Sequence, residues 1–334
     1  MEHILRRVFT ERASKDLFGA GPERALADYR RFRFEDSEPA LLLECPLAGP
    51  AGYDVIVGSY GTAMDCPGRL PEQSPSVCRT ALEWAASWKG AKPVDIFFEA
   101  DASRSDTELT AVQCRYKGQR DAPDAFFKAL GEAWRSPLFD AVVEKLPAGW
   151  IPQITGLFMG RPGAPTRLEL CLAKEAHERA AGDAKYLRGA FDALGFRAYD
   201  EAMLEEIVYL ISISPLCTLQ FDMLSDGTLS GTFSLASCLE RTGPDFSRLF
   251  RAGGLVERLC SAYMRAGTAD DRWRLAEETL FADKRIVISG DDIRSVTEVS
   301  LPNFTKAKWR EARPQPATLY LLLGVKSLPQ ARKI

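Results

Sequence analysis

Five times along this chain a strand-like run, a turn-rich break and a second strand-like run recur, with helical stretches between them. The first hairpin joins residues 40–47 to 53–60, and the second joins 94–101 to 108–118 across the polar link ASRSDT. The third joins 153–160 to 166–173 across RPGAP. In the fourth, CTLQFDML meets LSGTFSLASCLE through SDGT, where Asp226-Gly227 is a strong hairpin signal because glycine tolerates the positive φ required. The fifth pairs 296–309 with 317–325, joined by REARPQP. Five hairpins at intervals of roughly 50–70 residues, ten strands in all, constrain the fold more than any linear motif does.

Helical stretches are expected at 24–34, in SVCRTALEWAASWKG, in DAPDAFFKALGEAW and SPLFDAVVEKL, along 174–213, and around 246–264 and 270–281. Leu204, Ile207, Val208 and Ile211 have the spacing of one helix face. Residues 1–23 are expected as a flexible N-terminal segment, and 24–326 as the five-hairpin unit of a single domain.

Side chains alternate across a strand, so the sequence also gives the polarity of each face. Gln113, Arg115 and Lys117 oppose Val112, Cys114 and Tyr116, while Asp95, Phe97 and Glu99 oppose Ile96, Phe98 and Ala100. Arg167 and Glu169 oppose Leu168, Leu170 and Leu172; Gln220 and Asp222 oppose Leu219, Phe221 and Met223. In the fifth hairpin Val299 and Leu301 oppose Glu298 and Ser300, and Tyr320 opposes Leu319, Leu321 and Leu323. The helices need apolar surface to pack on, so the apolar faces are assigned to them and the polar faces to solvent. Two α+β architectures satisfy this: an open antiparallel sheet with helices on one side, or a ten-stranded antiparallel barrel with a polar lumen and an outer ring of helices. Closure is favoured because it removes two exposed edges.

Composition removes several function classes. A net charge of −3 and a pI near 5.7 argue against the clustered positive surface of a nucleic-acid protein. No apolar run is long enough to span a bilayer, and the N-terminus lacks a secretory apolar region, so a cytoplasmic location is expected. Eight dispersed cysteines without C-x-x-C spacing read as reduced and structural. His3 and His177 are the only histidines, which disfavours His-dependent nucleophilic catalysis and His-rich metal sites. There is no phosphate-binding G-x-x-x-x-G-K-[ST] loop and no G-x-G-x-x-G after a strand. Asp291-Asp292 reads as a polar turn, and the Pro/Gly-rich stretch 61–75, with Asp65 and Arg69, as an entrance loop or a plain connection.

Ten antiparallel strands in five αββα units around a polar lumen resemble the ABBA prenyltransferases, the aromatic and cyanobactin-type peptide enzymes, over residues 24–326. The resemblance implies a barrel in which Lys, Arg and Tyr side chains hold an allylic diphosphate, aromatic rings shield the allylic cation and an early-strand carboxylate acts as base or orients the acceptor. It implies dimethylallyl or geranyl diphosphate as co-substrate, metal-independent or Mg²⁺-assisted, no tightly bound cofactor, and a small aromatic molecule or peptide as acceptor. On the inward faces, Glu44 and then Glu99 are the candidate catalytic carboxylates. Arg115, Lys117, Arg167, Lys306, Lys308 and Tyr320 are the candidate diphosphate ligands, and Phe97 the candidate shield. Gln113, Gln220 and Asp222 complete the candidate substrate-binding set, which includes no metal ligands.

Other readings of the same residues remain open. Arg115 and Lys117 also suit a solvated face, Glu99 and Arg115 a cross-strand ion pair, and Glu44 the end of an edge strand. At the level of function the alternatives are a non-catalytic peptide- or ligand-binding barrel or sheet, for instance an accessory factor in peptide maturation, and a sheet whose open edge accepts a partner strand. The sequence leaves the oligomeric state open.

Overall fold

The computed structural model describes residues 1–32, 40–59, 76–100, 109–159, 161, 163–239, 247–289 and 292–327. Its strands are β1 (Ala40–Pro46), β2 (Asp54–Ser59), β3 (Asp95–Ala100), β4 (Leu109–Arg115), β5 (Trp150–Leu157), β6 (Thr166–Leu172), β7 (Cys217–Met223), β8 (Leu229–Cys238), β9 (Phe281–Ser289), β10 (Asp292–Arg310) and β11 (Arg313–Ser327). Antiparallel pairing runs in chain order from β1 to β8, then through β10 and β11 back to β1. The ring closes where Leu43 faces Leu321 and Glu44 faces Tyr320. This is a closed ten-stranded antiparallel barrel, and its closure removes the open-sheet architecture. β9 is an eleventh strand outside the ring, paired with the first half of β10 from Asp292↔Ser289 to Ser300↔Phe281.

The apolar faces of the strands point outward as alternation requires. Leu43, Val55, Ile96, Val112, Leu170 and Leu219 are buried beneath the helices. Phe191, on helix Ala184–Leu194, anchors one part of this jacket with ring contacts to Trp150, Phe221 and Phe233. The chain ahead of β1 contributes too: helices Glu2–Val8 and Glu11–Asp16 bury Ile4, Leu5, Val8 and Ala13. His3 Nε2 lies 3.7 Å from Glu298 on the outer face of β10.

Several sequence expectations need correction. The stretch 174–213 is three helices, Lys174–Gly182, Ala184–Leu194 and Glu201–Ile213, because left-handed Gly195 (φ 77°) ends the second and the Asp183 and Asp200 side chains cap the second and third. The expected helix at 270–281 shortens to Trp273–Glu277 and gives way to β9. The fifth hairpin turns through two residues, Glu311 and Ala312, at φ 50° and 58°, instead of a longer loop. Val299, assigned outward, lines the lumen, because a bulge between Pro302 and Phe304 adds a residue to β10 and reverses its faces. The stretch 61–75, the link 102–107, Cys66 and Asp291 lie outside the described residues.

The Asp226-Gly227 turn carries a direct test. Gly227 sits at φ 83°, and a Cβ there would lie 3.1 Å from Leu138 Cδ2. Gly227→Ala is expected to lower stability by about 1–2 kcal/mol, read as a lower urea midpoint at unchanged slope.

Candidate functional site

The barrel encloses a cavity of about 630 Å³, within the size range of small-ligand pockets. One wall is apolar, formed by Leu42, Ile56, Phe97, Phe304 and Leu322. The other is polar, with Gln113, Arg167, Glu169, Gln220 and Lys306. Period-two alternation puts these residues inside, and the strand register decides which of them meet.

β6 and β7 pair Arg167 directly opposite Asp222. Arg167 donates to both carboxylate oxygens, from Nε at 2.8 Å and Nη2 at 3.2 Å. Arg161, on the connection between β5 and β6, reaches the same carboxylate at 3.3 Å and lies 3.8 Å from Glu99. Both guanidinium groups rest on the buried Phe158 ring, at 4.0 and 4.1 Å from its centre. Burial pulls the Arg167 guanidinium down, but Asp222 more than offsets it and holds the charge firmly. Burial likewise raises the Asp222 carboxyl, and Arg167 brings it below its ordinary value. Glu99 accepts a hydrogen bond from Gln113 Nε2 at 3.1 Å. Gly156, opposite Gln113 on β5, leaves room for that side chain, since a Cβ there would lie 2.7 Å from Gln113 Cγ.

A second pair sits at the closure of the ring. Lys306 Nζ is 3.2 Å from Glu44 Oε1, and both side chains are buried. The Tyr320 hydroxyl also hydrogen-bonds Glu44. Burial raises the Glu44 carboxyl, but the Lys306 and Lys308 charges and these hydrogen bonds take it down to about 2. The Tyr320 ring stacks on Phe304 at 3.8 Å and receives the Lys306 ammonium 4.8 Å from its centre. Lys308 has no hydrogen-bond or ion-pair partner among the described residues; burial and the neighbouring Lys306 lower its ammonium to about 8.

Arg115 and Lys117 belong to a different group. Both contact Asp95, at 2.6 and 3.1 Å, because Asp95 faces Arg115 across β3 and β4. The alternative reading of a Glu99–Arg115 ion pair gives way to Arg115–Asp95, with Glu99 turned to Gln113 and Arg161. Arg115 still lines the cavity, with its guanidinium 5.5 Å from the Phe97 ring centre. Lys117 lies beyond the end of β4, at φ 53°.

No family model matches this sequence, and no curated protein matches it. Solved structures do match by fold. The 5-dimethylallyltryptophan synthase of Streptomyces coelicolor superimposes with a TM-score of 0.50 at 14% identity, covering 96% of this chain and 89% of that one. Its complex with DMASPP and Trp gives 0.51 at 13% identity, covering 96% and 93%. The apo prenyltransferase PriB gives 0.49 at 14% identity, covering 100% and 98%. The fold is that of the ABBA prenyltransferases.

In this ABBA barrel, the candidates brought together around the lumen charges are Glu44, Glu99, Gln113, Arg167, Gln220, Asp222, Lys306, Lys308 and Tyr320, with Phe97 on the apolar wall. Sequence reasoning missed Arg161, Asp95 and Phe304. Arg161 stands in a turn, where alternation carries no information. Asp95 was read as inward but given no partner, and the parity of Phe304 depends on the β10 bulge. Among the described residues, no group of three or more His, Cys, Asp or Glu side chains converges as a metal site, and no helix is long and apolar enough to cross a membrane.

Proposed function

We propose that this protein transfers a prenyl group from an allylic diphosphate, dimethylallyl or geranyl, to an aromatic small molecule or a peptide side chain. The observation that carries this reading is Arg167, Lys306 and Tyr320 in a lumen whose opposite wall is aromatic and aliphatic, with the Arg161 and Lys308 charges coupled to them. When the bond from C1 to the diphosphate breaks, its electron pair leaves with the phosphate oxygen. That growing negative charge is best stabilised by cations already in place. Asp222 and Glu44 hold Arg167 and Lys306 in position, while Arg167 keeps Nη1 and Lys308 its ammonium for the anion. The allylic cation left behind meets the faces of Phe97 and Phe304 on the apolar wall, whose π clouds favour positive charge. Glu44, tied to Tyr320, orients the acceptor, and Glu99 is the second candidate for that role. The strand wall excludes the water that would quench the cation.

Incubation with each diphosphate and a panel of tryptophan, tyrosine and peptide acceptors is expected to give product heavier by one prenyl unit, and to do so in the presence of EDTA. Absence of both turnover and diphosphate binding would remove the reading. Donor bound without transfer to any acceptor would favour the non-catalytic binding barrel.

Lys308 makes donor binding sensitive to pH. Its ammonium titrates near 8, so an anion bound to the charged form loses that partner as pH rises from 7 to 9 and the lysine becomes neutral. Donor affinity is expected to fall about tenfold over this range, roughly the worth of one charge-assisted contact. Lys308→Met should bind more weakly at pH 7 and lose most of that pH dependence. Calorimetric titration with a non-hydrolysable donor analogue measures both.

A further inference from the structure

The lumen contains a carboxyl that the transfer scheme leaves unused. Glu169 lines the cavity on β6, two residues along the same face from Arg167. Its partners are neutral: Gln220 Nε2 donates to Oε2 at 2.7 Å, and the Thr218 hydroxyl supplies a further hydrogen bond. No cation forms an ion pair with it among the described residues. In this it differs from Glu44, held by Lys306, from Asp222, held by Arg167 and Arg161, and from Glu99, within reach of Arg161. A carboxylate locked to a cation is a poor proton acceptor, because protonation must break the pair. Gln220 adds an independent sign of a ligand. It is 7% exposed, it lines the same cavity, and its Oε1 has no hydrogen-bond partner. A buried amide oxygen left unpaired costs about 1–3 kcal/mol, a cost removed when a ligand N–H or O–H occupies the position.

We propose that Glu169 is the proton acceptor of the transfer, and that Gln220 docks a hydrogen-bond donor of the acceptor molecule beside it. This rests on the prenyl-transfer reading above. The donor C1–O bond breaks with its electron pair leaving on diphosphate. A ring π pair or heteroatom lone pair of the acceptor forms the new bond to C1. The bond from the attacked atom to its hydrogen then breaks, its electrons return to the acceptor, and the proton passes to the Glu169 carboxylate. The acceptor class that fits is an aromatic or side-chain nucleophile carrying an N–H or O–H within reach of Gln220 Oε1. Burial raises the Glu169 carboxyl above its ordinary value, with the Thr218 and Gln220 hydrogen bonds and the more distant Arg167 and Lys306 charges opposing the rise. A base moved toward the working pH is a better match for proton transfer at neutrality.

The test compares wild type, Glu169→Gln and Glu169→Ala on one productive acceptor. Wild type is expected to lose rate toward acid pH along a single-proton limb. Glu169→Gln should transfer about 100-fold more slowly, bind the donor analogue as wild type does, and lack the acid limb. In Glu169→Ala, added formate should restore part of the rate by standing in for the missing carboxylate, which a merely structural role does not allow and which does not depend on the Gln variant folding. Wild-type rate and acid limb in Glu169→Gln, or no formate rescue in a folded Glu169→Ala, overturns the assignment while leaving prenyl transfer intact. Absence of turnover and donor binding in wild type overturns both.

Discussion

Arg167→Ala is expected to slow prenyl transfer by about 1000-fold and to cost the fold about 3–5 kcal/mol. Both effects come from one side chain. Arg167 is 5% exposed and fixed by two hydrogen bonds to Asp222, so it can face a leaving diphosphate without reorganising. Its removal strips Asp222 of its main partner and leaves that buried carboxylate with Arg161 at 3.3 Å. Donor affinity, kcat/KM and the urea midpoint should all fall together. The double variant Arg167→Met with Asp222→Leu separates the two effects. Replacing both members of a buried pair by apolar groups of similar size recovers stability, while the cation needed for the anion stays absent. Stability should return and activity should not. Wild-type donor affinity in the folded double variant would show that Arg167 does not hold the diphosphate.

Much of this lumen could be read from alternation alone, because a barrel wall with helices outside forces one face of each strand inward. Glu44, Phe97, Gln113, Arg167 and Gln220 lie on the inner face for that reason. Partner choice is a different matter. Arg115 meets Asp95 because the β3–β4 register places those residues opposite each other, and a side chain on the correct face still has several carboxylates within sequence reach. Two prolines mark where parity fails. Pro152 and Pro302 each precede a bulge residue, Gln153 and Asn303, and each bulge shifts the face by one. Proline cannot donate to the ladder and collects at such irregularities, so a proline inside a strand run is a usable warning of inversion. β9 also carried a signal: Ile286, Val287 and Ile288 are β-branched and lead into Gly290-Asp291, a hairpin-like break. Arg161 had none, because no face rule governs a turn.

Acidification is expected to destabilise the barrel through Glu44. The folded Glu44 carboxyl titrates near 2 against an ordinary value of 4.5. A group depressed in this way contributes stability that is fully present above the unfolded value and is lost as pH falls toward the folded one. At one pKa unit per 1.36 kcal/mol, the shift corresponds to about 3 kcal/mol lost between pH 4.5 and about 2. Asp222, also lowered by its cations, adds to the loss in the same direction. Glu169 acts in the opposite direction and in a different window: a carboxyl raised in the folded state takes up its proton first there, so it favours folding as pH drops toward 4.5 and adds nothing below that value. Urea unfolding from pH 7 to 3 should therefore show wild-type stability falling steeply below pH 4.5, Glu44→Gln starting lower at pH 7 but falling less, and Glu169→Gln lacking the gain that wild type shows on approaching pH 4.5 from above while falling like wild type below it. Equal acid slopes in wild type and Glu44→Gln would mean that the Lys306 pair does not hold the ring closed. The seam between β1 and β11 would then rest on its backbone ladder, from Ala40↔Gly324 to Pro46↔Thr318, and on its apolar outer face, Leu43 against Leu321.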